Sequence, residues 1–172
     1  MPASASAGSQ PPQPPDFERR FQLFPFQKVA IPLLLLVPLL ALFGIFGETT
    51  ATAASHAESL TLEVDYPDRM HSGMGNELSI QVINTGTQDL PTVQVEIPQS
   101  YLASFDHLQF TPDVTQISNR AATIELHDLI AGSSQFILIR FDGLWVGSHT
   151  GEIVARAETA EVSIEIRTFV FP

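Results

Sequence analysis

The chain has no cysteine, which excludes disulfides, thiolate catalysis and zinc sites built on sulfur. Basic residues are scarce: eight Lys and Arg stand against nineteen Asp and Glu in 172 residues. After residue 47 the imbalance sharpens, with only Arg69, Arg120, Arg140, Arg156 and Arg167 set against 17 acidic residues. A field of that sign repels phosphate backbones and anionic lipid headgroups, so nucleic acid is not an expected partner, and the acidity serves solubility. Catalytic motifs are missing too. No GxSxG elbow presents a nucleophilic serine, and no DxDxDG loop offers a calcium site. The five histidines, His56, His71, His107, His127 and His149, are scattered without the spacing of ligand pairs. No catalytic residue, metal site or cofactor is expected, and the protein is not read as an enzyme.

A different absence organises the chain. Residues 29–47, VAIPLLLLVPLLALFGIFG, carry no charge and no side-chain hydrogen-bonding group. Nineteen helical residues rise ~28 Å, close to the ~30 Å hydrocarbon core of a bilayer, which predicts one transmembrane helix. Arg19, Arg20 and Lys28 precede it, whereas Glu48 comes directly after and the next basic residue is Arg69. The positive-inside rule then leaves the N-terminus in the cytoplasm and exports the C-terminal part of the chain, giving a single-pass protein of the cell membrane with an extracytoplasmic domain. Pro32 is expected in the first turn of the span, and Pro38 near its middle is expected to kink it. A cleaved signal peptide is the competing reading, because Ala51-Thr52-Ala53 and Ser55-His56-Ala57 both fit a small-residue cleavage site. The long apolar stretch and the 28-residue leader favour an uncleaved anchor.

Residues 1–28 form the cytoplasmic tail. Its Pro-, Ala- and Ser-rich beginning is expected to be disordered. Phe17, Phe21 and Phe24 then occur at helical spacing, with Pro25 ending that short helix and Phe26 just beyond. This aromatic strip is a membrane-surface anchor or a docking strip for another membrane protein. Residues 48–57 are expected to be a flexible linker that lifts the domain off the membrane.

From residue 58 the apolar pattern becomes strict alternation. Leu60, Leu62 and Val64 are succeeded by Leu78, Ile80 and Val82, then by Val93, Val95 and Ile97. Further runs centre on Ile124 and Leu126, on 136–141, on 153–157 and on Val162, Ile164 and Ile166, with a doubtful one at 107–111. That makes about seven strands broken by turn residues, and no amphipathic helix of useful length. The pattern predicts an all-β domain over residues 58–172, two antiparallel sheets packed face to face. The run 136–141 is apolar on both faces and reads as a central strand covered at least partly on each side. Asn84-Thr85-Gly86 is a turn whose glycine can take positive φ.

The ordered series Asn76-Glu77-Leu78-Ser79-Ile80-Gln81-Val82-Ile83-Asn84-Thr85-Gly86, Val93-Gln94-Val95-Glu96-Ile97-Pro98, Leu129-Ile130-Ala131-Gly132-Ser133-Ser134 and Gly147-Ser148-His149-Thr150-Gly151 resembles the bacterial cell-adhesion-related and conserved-repeat Ig-like domains. The resemblance covers about 90 residues. It implies an Ig-like β-sandwich used for spacing, adhesion or protein contact, with no catalytic residues to carry over. This chain departs from the repeat pattern in its single copy and in a further strand after Glu158.

Candidate contact residues are therefore aromatic and apolar rather than catalytic. Leu144, Trp145 and Val146, between two glycines in a connection, include the sole tryptophan. Phe169 and Phe171 stand near the C-terminus, and Tyr101, Leu102 and Phe105 lie in another connection. With Phe17, Phe21, Phe24 and Phe26, the first two groups are candidate anchors for a protein partner. Whether Trp145 is exposed or plugs one end of the sandwich decides its use. The expected function is a noncatalytic membrane-tethered Ig-like module that binds or positions a protein partner, as an accessory subunit of a bacterial envelope complex. The alternatives are an extracytoplasmic ligand or metal sensor and a cleaved, secreted sandwich.

Overall fold

The structure is a computed structural model that describes residues 24–42, 47–158 and 160–172. The chain divides into two compact units, residues 1–45 and 46–172.

In the first unit, helix α1 runs over Pro25–Leu42. Pro25 opens this helix, because at a first position the missing amide hydrogen has no intrahelical partner to lose. Lys28 N donates to Phe24 O at 3.3 Å, the i to i−4 bond of that first turn. Starting the helix at Pro25 also moves Pro32 from the expected first turn to the interior, alongside Pro38. Among the described residues no helix is long and apolar enough to cross a membrane. Residues 43–46, which belong to the predicted span, lie outside the described residues, as do residues 1–23 with Phe17 and Phe21.

The second unit is all-β and has ten strands: β1 (Thr49–Ala57), β2 (Leu60–His71), β3 (Gly75–Asn84), β4 (Leu90–Pro98), β5 (Phe105–Thr111), β6 (Gln116–Ile117), β7 (Ala121–Leu129), β8 (Ser134–Gly143), β9 (Gly147–Arg156) and β10 (Glu161–Phe171). A four-residue helix, α2 (Gln99–Leu102), separates β4 from β5. The strands form one curled sheet in the order β5-β8-β3-β2-β10-β9-β4-β7-β6, with β1 added along β2. Among the described residues the strands pair antiparallel except β10 with β2, which meet in parallel over Phe169–Arg69, Val170–Met70 and Phe171–His71, next to a single parallel bridge between Ser72 and Gly143. Long β2 makes the curl possible. Its first half pairs with β3 from Leu60 to Asp65, and its last three residues cross to β10. The halves β2-β3-β8-β5 and β10-β9-β4-β7-β6 form the two layers of an immunoglobulin-like sandwich.

Alternation explains the core. Leu60, Leu62, Val64, Leu78, Ile80, Val82, Ile137, Ile139 and Phe141 from one half meet Val93, Val95, Ile97, Ile124, Ile153, Ala155, Val162, Ile164 and Ile166 from the other, all buried. Tyr101, Leu102 and Phe105 are buried as well, so α2 and the start of β5 close one edge of the core and are not contact residues. Phe105 packs its ring on Phe141 and on Tyr101, with centroids 4.3 and 4.9 Å apart. The Tyr101 hydroxyl shares a 2.8 Å hydrogen bond with buried Thr168, and burial pushes its pKa up to about 12.

Two local expectations are corrected and a third is met in part. Residues 49–57, expected to be linker, form β1 and pair with β2 along its whole length; alternating small Thr and Ala side chains fit an extended edge. Strand β8 is central, between β3 and β5, and its outer face is covered only in part: Leu138 is half-buried, whereas Phe136 and Arg140 are exposed and Arg140 pairs with Glu77. Gly86 is required by closeness rather than by φ, since a Cβ there would stand 2.7 Å from the Ser59 Cβ. Buried Asn84 holds that turn, its amide donating to Gln88 O and Leu129 O while its side-chain oxygen accepts from Gly86 N.

Candidate functional site

Strands β8 and β9 do not pair with each other. β8 belongs with β3 and β5, and β9 with β10 and β4, so the connection carrying Trp145 crosses between the two halves and is not a hairpin turn. Its backbone is held at both sides. Leu144 N and Trp145 N both donate to Ser104 O, at 3.2 and 3.3 Å. His149 Nε2 donates to Trp145 O at 2.7 Å, and Gly147 at φ 134° turns the chain into β9. With the backbone so engaged, the side chains of Leu144, Trp145 and Val146 point outward, 43%, 62% and 56% exposed. Trp145 therefore does not plug the sandwich.

Neighbouring segments widen this into a rim. Gly73 N donates to Gly143 O at 2.8 Å, and the β2–β3 turn holds out Met74, 56% exposed. Phe169 and Val170 on β10 stand opposite Ser148 and Gly147 at the start of β9. Phe169 is 37% exposed and packs on Phe171, which is half-buried between Phe169 and His71. The sequence-nominated residues of the two C-terminal groups thus converge on one end of the domain, joined by Met74, which no sequence signal singled out. Phe24 and Phe26, on the other unit, are exposed.

A second, polar feature lies on the outer face of β3, β8 and β5. Asn76, Glu77, His107, Gln109, Arg140 and Asp142 line an open cleft of about 510 Å³. His107, at φ 52° in a break of the β5 ladder, has its Nδ1 2.9 Å from Asp142 Oδ2. That hydrogen bond, with the nearby charge of Asp106, raises the His107 pKa above its ordinary 6.5. Among the described residues no group of three or more His, Asp or Glu is placed to hold a metal ion.

No family model matches the chain, and no curated protein does. Solved structures do show likeness. The CARDB domain of a Pyrococcus furiosus protein, in complex with di-metal ions, is 14% identical at a TM-score of 0.43, covering 70% of this chain and 95% of that one. AvmM, which catalyses macrocyclization in alchivemycin A biosynthesis, is 13% identical at a TM-score of 0.40, covering 66% and 90%. Native E. coli alpha-2-macroglobulin is 19% identical at a TM-score of 0.41, covering 66% of this chain and 7% of that one. Likenesses of this degree have no bearing on activity.

Proposed function

We propose that the protein is a noncatalytic, single-pass membrane module. In this reading residues 29–47 cross the membrane with the N-terminus in the cytoplasm, and an exported Ig-like domain binds or positions a protein partner as an accessory subunit of a bacterial envelope complex. The observation that carries it is the exposure of Leu144, Trp145 and Val146 on a backbone pinned to Ser104 and His149, an apolar surface that calls for a cover, protein or lipid, from outside the domain. A domain that worked alone in water gains nothing by holding out its sole tryptophan. Strand β1 supports the uncleaved form, because cleavage after Ala53 or Ala57 would strip part or all of a strand from β2. Extraction in a mild detergent, then native sizing and affinity capture, tests the assembly. The expected result is a particle larger than the monomer with a reproducible membrane or envelope partner; a protein that elutes alone and monomeric sinks it.

The cleft at His107 favours a sensor as second reading. It expects a small ligand to raise the melting temperature of the domain. Titration with zinc, calcium and small carboxylates that leaves the melting temperature unchanged counts against it.

A further inference from the structure

Residues 49–57 are strand rather than spacer, and this determines how high a tethered domain can stand above the bilayer. The predicted span ends at Gly47, and β1 begins at Thr49. Nothing is left to lift the domain. Even from Leu42, the end of α1, six peptide steps reach at most ~22 Å to Glu48. Short contacts then lead from Glu48 into the apolar rim. Its carboxylate is 3.8 Å from His71 Nδ1, the His71 ring lies 5.6 Å from that of Phe171, and Ser72 N donates to Phe171 O. The next residue, Gly73, donates to Gly143 O, beside Leu144.

We propose that Met74, Leu144, Trp145, Val146 and Phe169 seat in the lipid headgroup layer, so that the domain stands end-on on the membrane. This rests on the tethered topology above and assigns the rim a lipid surface as its cover, leaving a protein partner to other faces. Tryptophan, with an apolar body and one polar N–H, is the side chain most at home at that interface, and Leu, Val, Met and Phe supply apolar depth around it.

Part of the domain's negative charge lies far from the rim. Glu58, Asp89 and Glu158 lie in turns at the opposite end, where β1 meets β2, β3 meets β4 and β9 meets β10. Nine residues of β1 put about 30 Å between the two ends, more than three Debye lengths at physiological salt. Near the rim Asp68 pairs with Arg69 and Glu77 with Arg140, Glu48 and Asp142 face His71 and His107, and Asp106 lies beside His107.

Because the chain has one tryptophan, Trp145 fluorescence reports the rim directly. The full-length protein is reconstituted into phosphatidylcholine vesicles, purified by flotation, and compared with vesicles whose acyl chains are brominated near the headgroup. The expected result is emission shifted to the blue of that in detergent, at least twofold quenching by the brominated lipid, and protection from aqueous iodide. Val146→Asp should cut the bromolipid quenching by half or more while leaving the melting temperature unchanged. Emission that stays red, open to iodide and indifferent to bromine in floated protein overturns the proposal and returns the rim to a protein cover. Failure to float overturns the tethered topology itself, so the two failures are distinguishable.

Discussion

Two residues show how closely the core is fitted. A Cβ at Gly151 would stand 2.8 Å from Tyr101 Cβ and 2.9 Å from Tyr101 Cγ. Gly151→Ala must displace the ring that closes the core edge, and should cost ~1–3 kcal/mol in urea unfolding. Tyr101→Phe keeps the ring but leaves the Thr168 hydroxyl buried without its partner, an expected loss of ~1–3 kcal/mol. Either variant unfolding at the wild-type urea midpoint would contradict this packing. At the cleft, His107 should titrate above 6.5 by NMR, and Asp142→Asn should lower its midpoint. A raised folded-state pKa means that the contribution to stability is full below the unfolded value and fades as pH rises through the folded one. The contribution is therefore present in mild acid and gone in alkali. His107 is solvent-exposed, so the effect is read from the titration rather than from unfolding.

Among the elements, β1 has the largest consequence. It gives β2 a partner from Leu60 to Arg69 and carries Ala53 and Ala57, which pack partly against the core. A fragment beginning at residue 58 loses these contacts and opens a strand edge to other chains. It should be less stable than the fragment beginning at residue 48 by upward of ~1 kcal/mol and more prone to self-association. Equal urea midpoints and equal monodispersity would show β1 to be a mere passenger. The β8–β9 connection is the other decisive element: it carries apolar side chains outward because its amides and a carbonyl are already engaged by Ser104 and His149.

For the molecule as a whole, the tethered reading makes a prediction independent of any partner. The protein recovered from membranes should resist carbonate extraction and keep the mass of the complete sequence. A product beginning near residue 54 or 58 would mean a released sandwich with a broken or missing β1. Orientation can be read by protease access: the domain should be degraded only from outside the cytoplasm, and the residue 1–28 tail only from within.

Much of the fold was legible in the sequence because period-two alternation is local: once Leu60, Leu62 and Val64 alternate with polar residues, one face must be buried whatever the topology. The hydrophobic stretch at 29–47 and the charge asymmetry around it are equally local, and they alone define the expected topology. Other features depended on distant partners. Residues 49–57 resemble a linker because Thr and Ala side chains are too small to mark a face, and only pairing with β2 makes them a strand. Tyr101 and Trp145 are both aromatic residues in connections, yet Tyr101 is buried beside Thr168 whereas Trp145 is held out by bonds to Ser104 and His149. No local window of sequence shows which distant groups will meet in those bonds. Most of the rim, Leu144, Trp145, Val146 and Phe169, was therefore readable residue by residue, while the addition of Met74 and the existence of one surface were decided by how β2, β8, β9 and β10 come together at one end of the sheet.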